Sequence, residues 1–252
     1  MHDQSIEYLK RVDPVLATVI ERVGPCRLEP RREGTHFDAL VRSILYQQLS
    51  GKAASTIHQR MHALYGGRPP TPAELLATPD ESLRSAGLSR QKLTYLKDLA
   101  AKVEARLLPL EADEIDHLPD DEIITRLIQV KGIGRWTVHM FLIFRLGRAN
   151  VLPELDLGVQ NAIKRVYRLR KQPGPKDVRR IGAKWSPHAS IASWYLWRSL
   201  EGGAARVQKA KPKTRDAGKV KRVPSATKRR RAGTKLGRGA TKKRRVRQRR
   251  RS

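Results

Sequence analysis

Between Met1 and Gly203 the apolar residues fall three and four positions apart, as in Phe37, Leu40, Val41, Ile44 and Leu45 and again in Ala53, Ala54, Ile57, Met61 and Leu64. That spacing lines up one face of a helix, and no stretch sustains the period-two alternation of a half-buried strand, so the pattern predicts an all-α domain. The breaks carry turn chemistry. Gly66-Gly67 precedes Pro69-Pro70, Thr71-Pro72-Ala73-Glu74 reads as a capping box with proline at the first helical position, and Thr78-Pro79-Asp80 reads as a cap before Glu81 to Ala86. Leu118-Pro119-Asp120 does the same ahead of Asp121 to Val130. About eight to ten helices are expected.

The periodic pattern stops near Gly203, and there the charge changes too. Of 252 residues, 53 are Lys or Arg and 24 are Asp or Glu, a formal net charge of +29. Ala204 to Ser252 holds 22 of those basic residues against Asp216 alone, a net of +21, which leaves +8 for Met1 to Gly203. Two segments follow: residues 1–203, large enough to bury a core, and residues 204–252, a Lys/Arg-rich tail with no aromatic residue, expected to be disordered. Such a tail suits nonspecific binding to nucleic acid, though a solvated tail or a nuclear address has the same composition. Cys26 is the single cysteine, which excludes a disulfide framework and any site built from several thiolates. With no apolar run of membrane length and no signal-peptide layout at Met1-His2-Asp3-Gln4, the chain is expected to be soluble and intracellular, nucleoid-associated in the cytoplasm of a bacterium or nuclear in a eukaryote. No heptad or exposed apolar helix asks for a partner, so a monomer is expected.

The most informative stretch is Leu127-Ile128-Gln129-Val130-Lys131-Gly132-Ile133-Gly134-Arg135-Trp136-Thr137-Val138, where two glycines flank one aliphatic residue between a helix end and a new helical pattern. A hairpin this tight leaves the N–H groups of the second helix's first turn free, and with the helix dipole they suit a phosphate oxygen. A plain glycine C-cap followed by a new helix would look similar. Further on, Val151-Leu152-Pro153-Glu154-Leu155-Asp156-Leu157-Gly158-Val159 puts an aspartate just before a helix with apolar residues at Val159, Ile163, Val166 and Tyr167. By itself Asp156 reads as a helix N-cap.

Together, the hairpin and this aspartate resemble the helix-hairpin-helix, Gly/Pro-Asp superfamily of DNA glycosylases, and within it the 3-methyladenine DNA glycosylase II family. Phe37 to Ser50, Gly87 to Lys92 and Trp185 to Trp197 resemble its other helices, so the likeness covers roughly Phe37 to Leu200. Only 36 residues precede Phe37, too few for the β-rich N-terminal domain of larger members, and a compact form is expected. The resemblance implies a two-lobed helical fold around Asp156 as the single catalytic carboxylate. It implies that alkylated purines such as 3-methyladenine and 7-methylguanine are flipped from duplex DNA and released by hydrolysis, without a cofactor. An N-alkylated purine is already cationic and leaves without the second carboxylate that ordinary glycoside hydrolysis uses.

Trp136 stands where lyase-competent relatives carry lysine, which implies a monofunctional enzyme, and its ring would attract a cationic base; core packing beside Met140 and Ile143 is the alternative. Tyr46, Trp185, Trp194, Tyr195 and Trp197 are candidate pocket walls or core aromatics. His188 stands where an aromatic is frequent. Gln48 and Leu49 lie in the loop where family members insert a wedge into the duplex. Lys131, Gly132, Ile133, Gly134, Arg135 and Thr137 would meet the DNA backbone. Glu154, two residues from Asp156, is expected to flank the site. His58 and His62, four apart on one helix, lack a third ligand in sequence range and are expected to be surface histidines rather than a metal site. A noncatalytic architectural DNA-binding protein, or a glycosylase for oxidised, deaminated or mismatched bases, are the competing functions.

Overall fold

The computed structural model describes residues 2–208, all helix and loop. The helices are α1 (Asp3–Val12), α2 (Pro14–Val23), α3 (His36–Tyr46), α4 (Gly51–Ala63), α5 (Pro72–Ala77), α6 (Asp80–Ser85), α7 (Arg90–Glu104), α8 (Ala112–Ile115), α9 (Asp120–Leu127), α10 (Arg135–Phe144), α11 (Leu157–Val166), α12 (Pro175–Gly182) and α13 (Ala189–Gln208). The excess over eight to ten comes from one-turn pieces such as α8, too short to show a period. α13 crosses the expected boundary after residue 203, and the tail from residue 209 onward lies outside the described residues. No helix among the described residues is long and apolar enough to cross a membrane.

Local chemistry sets most helix starts. Thr71 and Glu74 form the expected capping box, with Glu74 Nα donating to Thr71 Oγ1 at 3.2 Å and Thr71 Nα to Glu74 Oε2 at 2.8 Å. Thr78 does not cap α6, contrary to its sequence signature: its hydroxyl donates back to the Glu74 carbonyl at 2.7 Å, the usual alternative for a threonine at a helix end. α9 stops at Leu127, because Val130 turns back onto the Leu127 carbonyl and tightens the chain into the hairpin.

The helices pack as two groups. α3 to α7 gather with α9 and α10 in the middle of the chain, while α1 and α2 return from the N-terminus to pack with α11 and α13. Leu40, Val41, Ile44 and Leu45 of α3 are fully buried, as is Met61 of α4. In the second group the fully buried Asp13 ties distant segments together. It caps α2 through the Val15 and Leu16 N–H groups, accepts the Trp185 indole N–H at 2.8 Å and the Tyr167 hydroxyl, and pairs with Lys184 at 3.1 Å. Burial pushes its carboxyl up, but the bonds from Tyr167, Trp185, Leu16 and Lys184 outweigh burial and hold it below the usual carboxylate range.

Replacing Asp13 by alanine removes a helix cap and orphans two buried donors, so Asp13→Ala should lower the unfolding free energy by about 3 kcal/mol in urea titration. Because the folded carboxyl is depressed, its contribution should be complete above the unfolded value near ~4 and fade as pH falls through the lower folded value. A stability profile of Asp13→Ala flatter in acid than that of the parent checks the sign.

Candidate active site

α10 begins where a glycine hairpin ends, and the geometry explains both glycines differently. Gly132 has φ of +79°, and a Cβ there would lie 2.1 Å from the Tyr95 ring of α7. Only glycine fits. Gly134 has ordinary backbone and open space around it, and it caps α10 with no side chain over the first-turn N–H groups. Such an open helix N-terminus leaves N–H groups and the positive end of the helix dipole facing outward. The hairpin is pinned to α7 by Asp98, which accepts the Lys131 Nα–H at 2.9 Å and the Lys102 ammonium at 2.7 Å. The Lys131 side chain is exposed and 4.0 Å from Asp98, whereas Ile133 is buried and anchors the turn, so of this residue only the backbone can face a ligand.

Beside the hairpin opens a cavity of about 1170 Å³, walled by Arg42, Tyr46 and Gln47 from α3 and its exit, Tyr95 from α7, and Trp136 and Met140 from α10. Trp136 is 42% exposed, so it is a wall rather than the core residue its neighbours would allow. The Arg42 guanidinium lies 4.4 Å from the Tyr46 ring centroid. Thr137 is buried and lines the cavity, away from the expected backbone contact. The loop after α3 is built to keep its shape. Gln47 donates to the Gly132 carbonyl at 2.8 Å, and the Lys92 ammonium of α7 is held by the Leu45 and Gln47 carbonyls. Gln48 has φ of +56°, a left-handed conformation that a non-glycine residue holds at a cost of about 1 kcal/mol or more, and with Leu49 it projects into solvent.

Asp156 caps α11 and is mostly buried, with Oδ1 accepting the Val159 N–H at 2.8 Å. Two indoles complete its surroundings: Trp136 Nε1 donates to Oδ2 at 2.7 Å and Trp197 Nε1 of α13 to Oδ1 at 2.8 Å. An ionised carboxylate has about four acceptor positions, so these three bonds leave one, on Oδ2, beside the exposed Trp136. Trp197 in turn stacks on Phe144 of the cavity wall, with ring centroids 5.5 Å apart. The expected cap is present, and the same side chain joins α10, α11 and α13.

Other expectations change. Trp185 is fully buried on Asp13, and Trp194 is buried edge-on against Tyr195, so neither lines the cavity: both face the core of the second helix group. Tyr195 likewise is buried, donating to the Gly24 carbonyl at 3.0 Å, and His188 packs against Tyr8. Glu154 does not flank Asp156 as an open acid. Its buried carboxylate meets Arg135 at 3.6 Å, Arg179 at 3.3 Å and His139 at 3.6 Å, and its carbonyl accepts from Gln160. Burial holds the His139 imidazole below its usual range. Arg135 therefore divides its charge between the hairpin surface and Glu154. Sequence reasoning missed Tyr95, Lys92 and Asp98, which carry no local signature.

The two glycines separate by substitution. Gly132→Ala must displace Tyr95 and strain the turn, and should cost about 2 kcal/mol or more of stability. Gly134→Ala should stay within about 0.5 kcal/mol of the parent. Thermal or urea unfolding of both variants checks the contrast.

Comparison with known proteins places this geometry. The model of the HhH-GPD superfamily of base excision DNA repair proteins matches residues 41–188. DNA-3-methyladenine glycosylase 1 of Schizosaccharomyces pombe is 38% identical over 196 residues, covering 76% of this chain and 85% of the relative. The structure of 3-methyladenine DNA glycosylase Mag1 from the same yeast, in complex with abasic DNA, superposes with a TM-score of 0.70 at 34% identity, over 79% of this chain and 97% of that one. A DNA-3-methyladenine glycosidase from Bacillus halodurans gives a TM-score of 0.72 at 34% identity, over 80% and 91% of the two chains. The matched span holds the glycine hairpin, Trp136 and Asp156, and the chain belongs to the HhH-GPD superfamily of base excision DNA repair proteins.

Proposed function

We propose that the protein is a monofunctional DNA glycosylase that hydrolyses the N-glycosidic bond of alkylated purines, 3-methyladenine and 7-methylguanine among them, flipped from duplex DNA. The observation that carries this reading is the Asp156 carboxylate, held by two indole N–H donors and one backbone N–H with one acceptor position left. A fixed negative charge at that position stabilises the positive charge that grows on the sugar as the base departs, and its remaining lone pair can orient the attacking water. The departing base is cationic and needs no proton. An architectural DNA-binding protein would gain nothing from such a carboxylate.

Trp136 presents an indole beside that carboxylate, where a cationic ring gains roughly 0.5–2 kcal/mol from the π face. It also supplies no amine for a Schiff base, and the Lys92 ammonium at the cavity wall is committed to two carbonyls. The open N-terminus of α10 would take a backbone phosphate, with Lys131 beside it, and Gln48 or Leu49 would fill the gap left by the flipped nucleotide. Residues 204–252 would add a salt-sensitive hold on the duplex.

Base release from methylated duplex DNA, resolved by chromatography, is the direct test. The full chain should release 3-methyladenine without cutting the strand, and Asp156→Asn should lose about 10²–10⁴-fold in single-turnover rate while still binding DNA. Tight DNA binding with no release by the parent chain would overturn the reading. Deleting residues 209–252 should flatten the log–log dependence of DNA affinity on salt by about 0.9 for each phosphate that the tail neutralises.

A further inference from the structure

We infer that Asp38, His58 and His62 form a binding site for one divalent transition-metal ion of the zinc class, joining the first turn of α3 to the second half of α4. His58 and His62 stand one turn apart on α4, and the missing third ligand is Asp38, twenty residues before His58 in sequence and directly opposite it in the fold. The three donor atoms lie within 4.8 Å of one another. These are not the surface histidines that the sequence suggests: the side chains of Asp38, His58 and His62 are 16%, 13% and 18% exposed.

The spacing argues for a cation between them. Asp38 Oδ1 is 3.9 Å from His58 Nε2 and 3.7 Å from His62 Nε2, and all three atoms are buried without a hydrogen-bond partner. Direct charge-assisted hydrogen bonds would draw these atoms to about 2.7–2.9 Å. Three orphaned polar atoms at one place are costly, and one ion satisfies all of them. Bonds of about 2.0–2.2 Å to a tetrahedral ion put ligand atoms roughly 3.3–3.5 Å apart, a contraction of a few tenths of an ångström from the distances seen. The two imidazole rings are 4.1 Å apart and tilted by 59°, too inclined to be a simple parallel stack.

The surroundings hold the ligands in place. Asp38 sits in the first turn of α3, its N–H bonded to the Thr35 hydroxyl at 3.1 Å, and a Cβ on Gly34 would come within 2.7 Å of its other oxygen. Tyr46 packs its edge against His58. Two imidazoles and one carboxylate favour zinc, nickel or copper over magnesium or calcium, which prefer all-oxygen cages. Three protein ligands leave a fourth position for water, on the side where Asp38 lines the cavity. An ion there would tie the start of α3 to the later turns of α4. This assignment does not rest on the glycosylase reading.

The test uses tag-free full-length protein stripped with chelator, then titrated with Co²⁺ followed by visible absorption and with Zn²⁺ by calorimetry. One ion per chain, with the intense visible bands of low-coordinate Co²⁺ and a rise in Tm on adding Zn²⁺, is expected. His62→Ala and Asp38→Ala should each weaken Zn²⁺ at least ~100-fold, since even partners outside the ligand shell are worth about 10–100-fold. His117→Ala, on an exposed histidine elsewhere, should change nothing. Should an alanine variant lose its fold by circular dichroism, His62→Gln keeps the packing volume and gives the same readout. Absence of Zn²⁺ binding up to about 1 mM, or binding that survives loss of His62 and Asp38, would overturn the assignment.

Discussion

The site depends on one constraint: the mostly buried Asp156 carboxylate must be supplied with fixed hydrogen-bond donors. A carboxylate loses hydration on burial, and only donors fixed beforehand can replace it. Here the replacements come from three directions, the first turn of α11, the indole of α10 and the indole of α13. Each helix is anchored by its own apolar face, so the donors are set by packing before any substrate arrives. The carboxylate in turn accepts the indole N–H groups of the exposed Trp136 and the half-buried Trp197. One carboxylate thus links α10, α11 and α13.

The same solution recurs in the second helix group, where Asp13 is surrounded by backbone, indole, phenol and ammonium donors. The two carboxylates differ in one respect that separates structure from chemistry. Asp13 is fully enclosed, whereas Asp156 stands next to a cavity wall with an acceptor position remaining. Glu154 shows a third outcome, an acid near the site paired with Arg135 and Arg179 and packed beside His139. Proximity in sequence to Asp156 therefore does not give it the same role.

On the other side of the cavity, backbone groups rather than acids are arranged. Lys92 holds the last carbonyls of α3, Gln47 reaches the Gly132 carbonyl, and Asp98 holds the Lys131 N–H, so the loop after α3, α7 and the hairpin brace one another. The residues that would meet DNA are thus carried on backbone already fixed by neighbouring helices. Gln48, left in a strained conformation at the exposed tip, is the point where that bracing stops.

The sequence by itself determined the helical class, the hairpin glycines and the place of Asp156 at a helix start, because each is a local property of periodicity, turn chemistry or capping within a few residues. It also marked Trp136 and Tyr46 as aromatics near the site. It could not separate Trp197, which reaches Asp156 across 41 positions, from Trp185 and Trp194, which are equally aromatic and lie in the core. Nor could it supply Asp38 to His58 and His62, or Tyr95 as the reason for Gly132. Those pairings join separate helices, and which faces meet is decided by how the helices pack. Hydrophobic spacing states which face of a helix is buried; only the tertiary structure decides what it is buried against.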